Sequence, residues 1–316
     1  MKAVQYAQFG QPEVLQWVDV SAPRCDAHEV RLRVHAAGVN PIDYKTRQGK
    51  GFVAERLTKR LPWIPGYDVA GEVIEVGDKV QTWQVGDRVC GLVNFPLPGG
   101  CYAEEVCVPA DELVRIPEGL SDEVAAALPL AGLTAWQGLF EVGHLMSGQN
   151  VLVLAAAGGV GHLAAQLARI KGCKVWGTAS PANHDALSGL GITPVDYHDQ
   201  EAMEALPEMD FVFDGVGGQA GEAALERLAE GAELVTLPTL TAEAIEKAAR
   251  AQGKVARGYM VHPDRGQLQS LLEQVQDGRL KVWVQQVFPA SGVIDAHRLI
   301  EGGHVRGKLV LDFTAV

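Results

Sequence analysis

The segment Ala155-Ala156-Ala157-Gly158-Gly159-Val160-Gly161 carries the clearest chemical signal in the sequence. It follows an apolar run at 151–154. It precedes residues 162–170, where Leu163, Gln166, Leu167 and Ile170 recur at helical spacing. Strand, tight turn and helix in that order make an anion site, because free backbone N–H groups and the positive end of the helix dipole point at a phosphate. Gly158 lets the backbone approach a pyrophosphate, and Gly161 lets the helix pack close to the strand. Ala156 stands where G-x-G-x-x-G has its first glycine, so the motif alone is no better than an ordinary glycine-rich turn. Its place at the head of four strand–helix units makes it a dinucleotide site.

The second strand tip, about 20 residues on, selects the dinucleotide: a carboxylate there binds the ribose 2′-hydroxyl of NAD. The sequence reads Gly177-Thr178-Ala179-Ser180-Pro181, without a carboxylate. Ser180, with Asn183 and His184 nearby, suits a 2′-phosphate, so NADPH is preferred over NADH. Ser180 followed by Pro181 also reads as a helix N-cap and first helical position, and both readings hold together. Gly215, after an apolar run at 211–214, borders the cofactor or forms a bare turn.

Two domains position these groups. The chain has 316 residues, 47% hydrophobic and 21% charged, with no low-complexity tract or internal repeat. Residues 1–120 hold short β-type runs, such as 30–36, 69–76 and 88–93, between Gly, Pro and Asp turn signals. They predict a barrel-like β domain. From 121, Ala- and Leu-rich helical stretches alternate with strands at 151–154, 174–178, 211–214 and 233–237, the pattern of a doubly wound parallel sheet. A helix at 265–277, a strand at 283–288, a helix at 293–302 and a strand at 308–313 return to the first domain. The expected organisation is therefore 1–120 with 266–316, and 121–265.

The net charge of −12 disfavours nucleic acid and anionic membranes as partners. Cys25, Cys90, Cys101, Cys107 and Cys173 are odd in number and scattered, which fits a reducing cytoplasm. No apolar run suits a leader or a membrane span. His28, His35, His144, His162, His198, His262, His297 and His304 show no ligand spacing and read as surface or locally bonded residues.

With the loop placed, further segments form a recognisable set. Ala37-Gly38-Val39-Asn40-Pro41-Ile42-Asp43-Tyr44-Lys45-Thr46-Arg47-Gln48-Gly49, Pro65-Gly66-Tyr67-Asp68-Val69-Ala70-Gly71 and Val85-Gly86-Asp87-Arg88-Val89 are joined by Leu128-Pro129-Leu130-Ala131-Gly132-Leu133-Thr134-Ala135-Trp136 and His304-Val305-Arg306-Gly307-Lys308-Leu309-Val310-Leu311. In this order, with the glycine loop, they resemble the medium-chain dehydrogenase/reductase superfamily and its zinc-lacking quinone oxidoreductases over nearly the full length. The resemblance implies a GroES-like catalytic domain made from both chain ends, a Rossmann domain between them and an active site in the cleft. It also implies a homodimer joined through Rossmann edge strands, here residues 255–261. In the family the Asn40 position lies beside the nicotinamide, the Thr134 position touches the cofactor, and the Ser180 and Tyr197 positions border the 2′-phosphate. Many members carry a lysine shortly after the Ser180 position; this chain has Pro181, Ala182, Asn183 and His184, so NADPH is a preference rather than a requirement.

Zinc members of the superfamily place Cys and His where this chain has Asn40 and Tyr67, neither of which suits the ion. Cys90, Cys101 and Cys107 lack the fourth cysteine of a structural zinc lobe and read as small buried hydrophobes. Without a Lewis acid the favoured substrates are electrophiles that accept hydride unaided, quinones and α,β-unsaturated carbonyls. Asn40, Tyr44, Lys45 and Tyr67 are the polar groups expected around the acceptor oxygen, with Tyr44 or Tyr67 as proton donor. Against this, a lysine such as Lys45 is more often a solvated surface charge than an acid, and Asp43 and Asp68 read as loop-fixing groups or partners of Arg47. The acceptor pocket falls to segments 49–61 and 239–251. Two alternatives stay open, a zinc-dependent alcohol dehydrogenase and a non-catalytic NADPH-binding regulatory protein.

Overall fold

The computed structural model describes residues 1–57, 60–96 and 98–314. Thr58 and Lys59, part of the 49–61 segment, lie outside the described residues. The chain forms two compact units, Met1–Leu133 with His262–Gly278 and Val282–Val316, and Thr134–Val261 with Arg279–Lys281.

The second unit is a six-stranded, wholly parallel sheet. Its order is Thr193–Asp196, Lys174–Ala179, Asn150–Val153, Met209–Asp214, Leu228–Thr236 and Val255–Gly258. Numbered along the chain this is 3-2-1-4-5-6, the doubly wound Rossmann order. Val151 to Val153 and Phe211 to Phe213 are consecutive buried residues, because helices cover both faces of a parallel sheet. Leu152, Leu154, Val212, Leu234 and Ile245 pack in one cluster of that core. The strand Val255–Gly258 pairs on one side only and forms the sheet edge.

The first unit is built on the strand Glu29–Val39. Residues 29–33 pair with Glu105–Pro109, residues 36–39 pair with Lys308–Asp312, and the opposite edge pairs with Asp68–Val76. Register shifts at Arg31/Leu32 and Val34/Ala36 mark irregularities of the kind that bend a strand and let it serve two directions of pairing. Val284–Pro289 adds in parallel beyond Lys308–Asp312, so both ends of the chain meet in this sheet.

The boundary between the units differs from the expected 120/121. The helix Asp122–Ala127 is Ala-rich, like those that follow, but buries Ala125, Ala126 and Ala127 against Glu29–Val39 and Asp68–Val76 of the first unit. The helix Arg265–Gln276 also belongs there, with Leu271 touching the position of Gly132. Composition reports the helix; packing decides its domain. No helix among the described residues is long and apolar enough to cross a membrane.

Candidate active site

Asn40 ends the long strand and begins the helix Pro41–Arg47. Pro41 is pre-set for the first helical position. Asp43, in the first turn, folds back so that its Oδ2 accepts Asn40 N at 2.8 Å and the Tyr102 hydroxyl at 3.1 Å, while Oδ1 accepts Gly66 N at 3.3 Å. The amide of Asn40 is turned elsewhere. Its Nδ2 donates to Asp68 Oδ2 at 2.8 Å, and its Oδ1 accepts from Lys308 Nζ. Lys308 also donates to Val39 O at 3.0 Å and lies 3.7 Å from Asp68 Oδ2; Leu130 N donates to Asp68 Oδ1 at 2.8 Å. Strand register makes the meeting possible, since Asp68 lies opposite Gly38 and Leu309 opposite Val39. A Cβ at Gly38 would stand 2.7 Å from Asp68 Oδ2.

Burial favours the neutral form of each titrating group here. It pushes Asp68 up and Lys308 down, and their mutual attraction opposes both shifts. Burial raises Asp43 to about 7, against the hydrogen bond from Asn40 N. Lys308 went unassigned in the sequence. Its signal was a lone charge opening the apolar run Lys308-Leu309-Val310-Leu311.

Tyr44 and Lys45 are half-buried on the same helix, and neither shares a hydrogen bond with Asn40 among the described residues. Burial, then Glu301, raises the Tyr44 phenol; burial, then the like charge of Lys50, lowers Lys45, which is thus no simple surface charge. Tyr67 is buried edge-on to Phe95 with ring centroids 5.1 Å apart, and burial pushes its phenol far above the ordinary range. Its hydroxyl has no partner among the described residues.

Arg47 corrects an expectation. It pairs with Glu301 and not with Asp43 or Asp68, whose carboxylates turn to backbone amides and to Asn40 and Lys308. His297 is a second correction: fully buried rather than surface or locally bonded, it has no hydrogen bond at either ring nitrogen among the described residues. Burial, with the charge of Arg47, lowers it to about 3, so it is neutral. Tyr6 Oη, Thr46 Oγ1 and Arg47 Nε and Nη1 join Tyr67 Oη and the two nitrogens of His297 as buried polar atoms without a partner among the described residues. At about 1–3 kcal/mol for each unmet group, this set rivals the ~5–15 kcal/mol stability of a whole domain.

In the second unit the glycine loop stands where the sequence places it, between Asn150–Val153 and Gly161–Ile170. Ala155 N donates to Thr178 Oγ1 at 3.0 Å and Ala156 N to Thr178 O at 2.9 Å, tying the loop to the next strand. A Cβ at Gly161 would lie 2.1 Å from Ala155 O, so glycine is required there for close packing. At Gly158 the nearest atom would be 3.2 Å away. The protein crowds that position far less, which leaves its face for a ligand. Gly158, Gly159 and Val160 are half-buried and Ala156 fully buried, a cradle that suits a pyrophosphate.

Ser180 stands at the N-cap position of the turn Pro181–Asn183, yet caps no amide; its Oγ accepts Asn183 Nδ2 at 3.1 Å. His184 Nε2 lies 3.2 Å from Ala179 O, and Tyr197 is half-exposed with its ring against His198. Ser180, Asn183 and His184 are therefore brought together. Thr134 is buried, and its carbonyl accepts the Tyr259 hydroxyl. Gly215 lies in a turn held by Asp214, whose Oδ1 accepts Val216 N at 2.9 Å and Gly217 N at 2.8 Å.

The donors at the zinc-ligand positions do not fit the ion. The Asn40 oxygen already faces an ammonium, and Tyr67 is held neutral. Among the described residues no three His, Cys, Asp or Glu side chains form a metal-binding group. Cys90 and Cys101 are buried as expected, whereas Cys107 is half-buried and hydrogen-bonded to the thiol of Cys25. Burial raises all of these thiols, which removes thiolate chemistry.

Comparison with known proteins agrees with the two-unit architecture. Residues 26–118 match the alcohol dehydrogenase GroES-like domain and residues 190–311 the zinc-binding dehydrogenase family. The chain is 32% identical to the chloroplastic quinone-oxidoreductase homolog of Spinacia oleracea, over 99% of this chain and 98% of that one. It is 33% identical to the chloroplastic NADPH-dependent alkenal/one oxidoreductase of Arabidopsis thaliana, over 98% and 79%. The solved quinone oxidoreductase from Coxiella burnetii superposes with a TM-score of 0.96 at 42% identity, each chain covered to 99%. The chain belongs to the quinone oxidoreductase branch of the medium-chain dehydrogenase/reductase superfamily. Its fold is GroES-like plus Rossmann, and its class is that of NAD(P)H-dependent oxidoreductases.

Proposed function

We propose that the protein is an NADPH-dependent, metal-independent reductase of quinones or α,β-unsaturated carbonyls. The observation that carries the reading is the Asn40 amide, committed on one side to Asp68 and on the other to Lys308 at a position where a zinc enzyme needs an anionic ligand. Names of relatives support both acceptor classes, and one of them names NADPH.

NADPH, when bound, supplies a hydride. The amides and helix start at Ala156–Gly161 would hold its pyrophosphate, and Ser180, Asn183, His184 and Tyr197 its 2′-phosphate. Tyr44 and Tyr67, both kept neutral by burial, donate a hydrogen bond where negative charge develops on the acceptor oxygen. The dimer of this reading joins through Val255–Gly258, an edge strand whose Val255 is 41% exposed.

One acceptor panel tests the reading. The purified protein is given a 1,4-benzoquinone and a conjugated enone, each with NADPH and with NADH, and its metal content is measured. Fast NADPH oxidation with either acceptor and no zinc is expected. Stoichiometric zinc would overturn metal independence, and no oxidation with either acceptor would overturn the enzymatic reading. Val255→Lys should shift the sedimentation coefficient to that of a monomer; an unchanged value sinks the edge-strand dimer.

A further inference from the structure

Besides Arg31 Nε and Gln274 Oε1, seven buried atoms of the first unit lack a partner among the described residues, and these seven fall on neighbouring elements. They come from the first strand region (Tyr6), the helix Pro41–Arg47 (Thr46, Arg47), the segment before Asp68–Val76 (Tyr67) and the helix Val293–Glu301 (His297). Tyr6 and Tyr67 both feel the charge of Asp43, and His297 feels that of Arg47. The Tyr102 ring, whose hydroxyl donates to Asp43, stands edge-on to His297 with centroids 6.0 Å apart. Asp43 thus lies in the neighbourhood of these groups, linked to His297 through the Tyr102 ring, without being unpartnered itself.

Their chemistry selects the occupant. Arg47 Nε and Nη1 only donate, the hydroxyls of Tyr6, Thr46 and Tyr67 both donate and accept, and neutral His297 presents one nitrogen of each kind. A ligand serving all of them must accept and donate, as water does. An anion is disfavoured because Glu301 already neutralises Arg47. At about three hydrogen bonds per buried water, seven unmet atoms correspond to roughly two or three waters.

We infer that Tyr6, Thr46, Arg47, Tyr67 and His297 line an internal water site, and that its waters connect the Tyr67 hydroxyl to Asp43, which serves as the proton reserve behind Tyr67. The inference rests on the proposed reductase reading for its reaction, while the water site itself stands apart from it. In the step, the Tyr67 O–H bond breaks as an O–H bond forms on the reduced acceptor's oxyanion. The tyrosinate takes a proton from water, that water takes one from the Asp43 carboxyl, and bulk solvent later restores it. Burial raises Asp43 to about 7, with the hydrogen bond from Asn40 N opposing it, Asp68 adding to it, and Lys308 and the Tyr102 hydroxyl opposing it, and about 7 is the range in which an acid is effective. It is a positioning and relay group rather than one that touches the acceptor.

The test has two arms on the full-length protein. A crystal structure at a resolution that shows water, with a second crystal soaked in bromide, reads the site directly. Ordered water bonded to Tyr67, Arg47 and His297 is expected; a dry void or an anomalous bromide peak overturns the water site. The second arm is the pH profile of kcat for wild type, Asp43→Asn and Tyr6→Phe with the acceptor found active in the panel. In wild type, kcat should fall as pH rises past about 7. Asp43→Asn should flatten that limb and lower kcat by about 100-fold at pH 6. Tyr6→Phe, which leaves the capping of the helix intact, should lower kcat with little change in KM. If wild type is active and Tyr6→Phe keeps its full profile, the relay is wrong. If wild type is inactive, it is the reductase reading that fails, and the crystals still decide the water site.

Discussion

Lys308 Nζ lies 3.7 Å from Asp68 Oδ2 with both side chains removed from solvent, and Asn40 bridges them, accepting from one and donating to the other. The three come from Lys308–Asp312, from Asp68–Val76 and from the residue that follows the long strand Glu29–Val39, all of one sheet. Each polar atom of Asn40 therefore has a job that no apolar side chain could take over.

Removing the cation should be costly. Lys308→Met leaves Asp68 buried beside no positive charge, and urea unfolding should show a loss of about 3–5 kcal/mol. Adding Asp68→Asn should recover part of it. A double variant no more stable than Lys308→Met would mean that the charge pair is not what holds this part of the sheet.

Asn40→Ala removes one hydrogen bond from each of two buried partners, Asp68 and Lys308. We expect a loss of about 1–3 kcal/mol in stability, together with a marked drop in turnover. Unchanged turnover in a folded variant would separate Asn40 from the reaction.

The two loop glycines should behave differently. Gly161→Ala places a methyl 2.1 Å from Ala155 O and should lower both the melting temperature and NADPH affinity. Gly158→Ala meets nothing closer than 3.2 Å, so it should keep the melting temperature while weakening NADPH binding in a fluorescence titration. Equal loss of stability in both would show that the loop glycines serve packing alone.

Ser180→Asp puts a carboxylate on the strand tip that lacks one. It repels a 2′-phosphate and accepts from a ribose hydroxyl, so the ratio of kcat/KM for NADPH over NADH should fall about tenfold or more. A ratio that stays put would remove Ser180 and its partner Asn183 from the 2′-phosphate assignment.

Asp43 gives the fold a pH signature. Its ordinary value lies near 4 and its folded value at about 7, so between these the folded chain keeps a proton that the unfolded chain has lost. The contribution of this group to stability is full below about pH 4, declines as pH rises to about 7, and is level above. Asp43→Asn should abolish that decline, so the variant gains on wild type as pH rises from 4 to 7. Parallel urea midpoints for the two proteins over that range would count against a raised carboxyl.

What the sequence made legible was local. The run at 151–154, the glycines that follow and the helical spacing after them specify a strand, a loop and a helix from neighbouring residues, and all three stand where expected. The Asn40–Lys308 and Arg47–Glu301 pairings join positions 268 and 254 apart, and no local pattern announces which distant charge a residue will meet. Asp43 looked like a partner for Arg47 four residues on. Helix capping claimed its carboxylate instead, since the N–H of Asn40 was nearer and otherwise unmet. His297 read as an ordinary surface residue because a single histidine on a helix carries no sign of which face it occupies.

The placement of Lys308 also bears on how the protein is made. A ribosome adding roughly 5–20 residues per second delivers Lys308 roughly 10–50 s after Asn40. Until then the slot between Glu29–Val39 and Val284–Pro289 is open, and Asp68 has no ammonium beside it. The Rossmann unit, by contrast, receives all six of its strands in one continuous stretch and can close while synthesis goes on. The unit whose residues emerge first is the one completed last, and during that interval its unpaired strand edge is a target for chaperones.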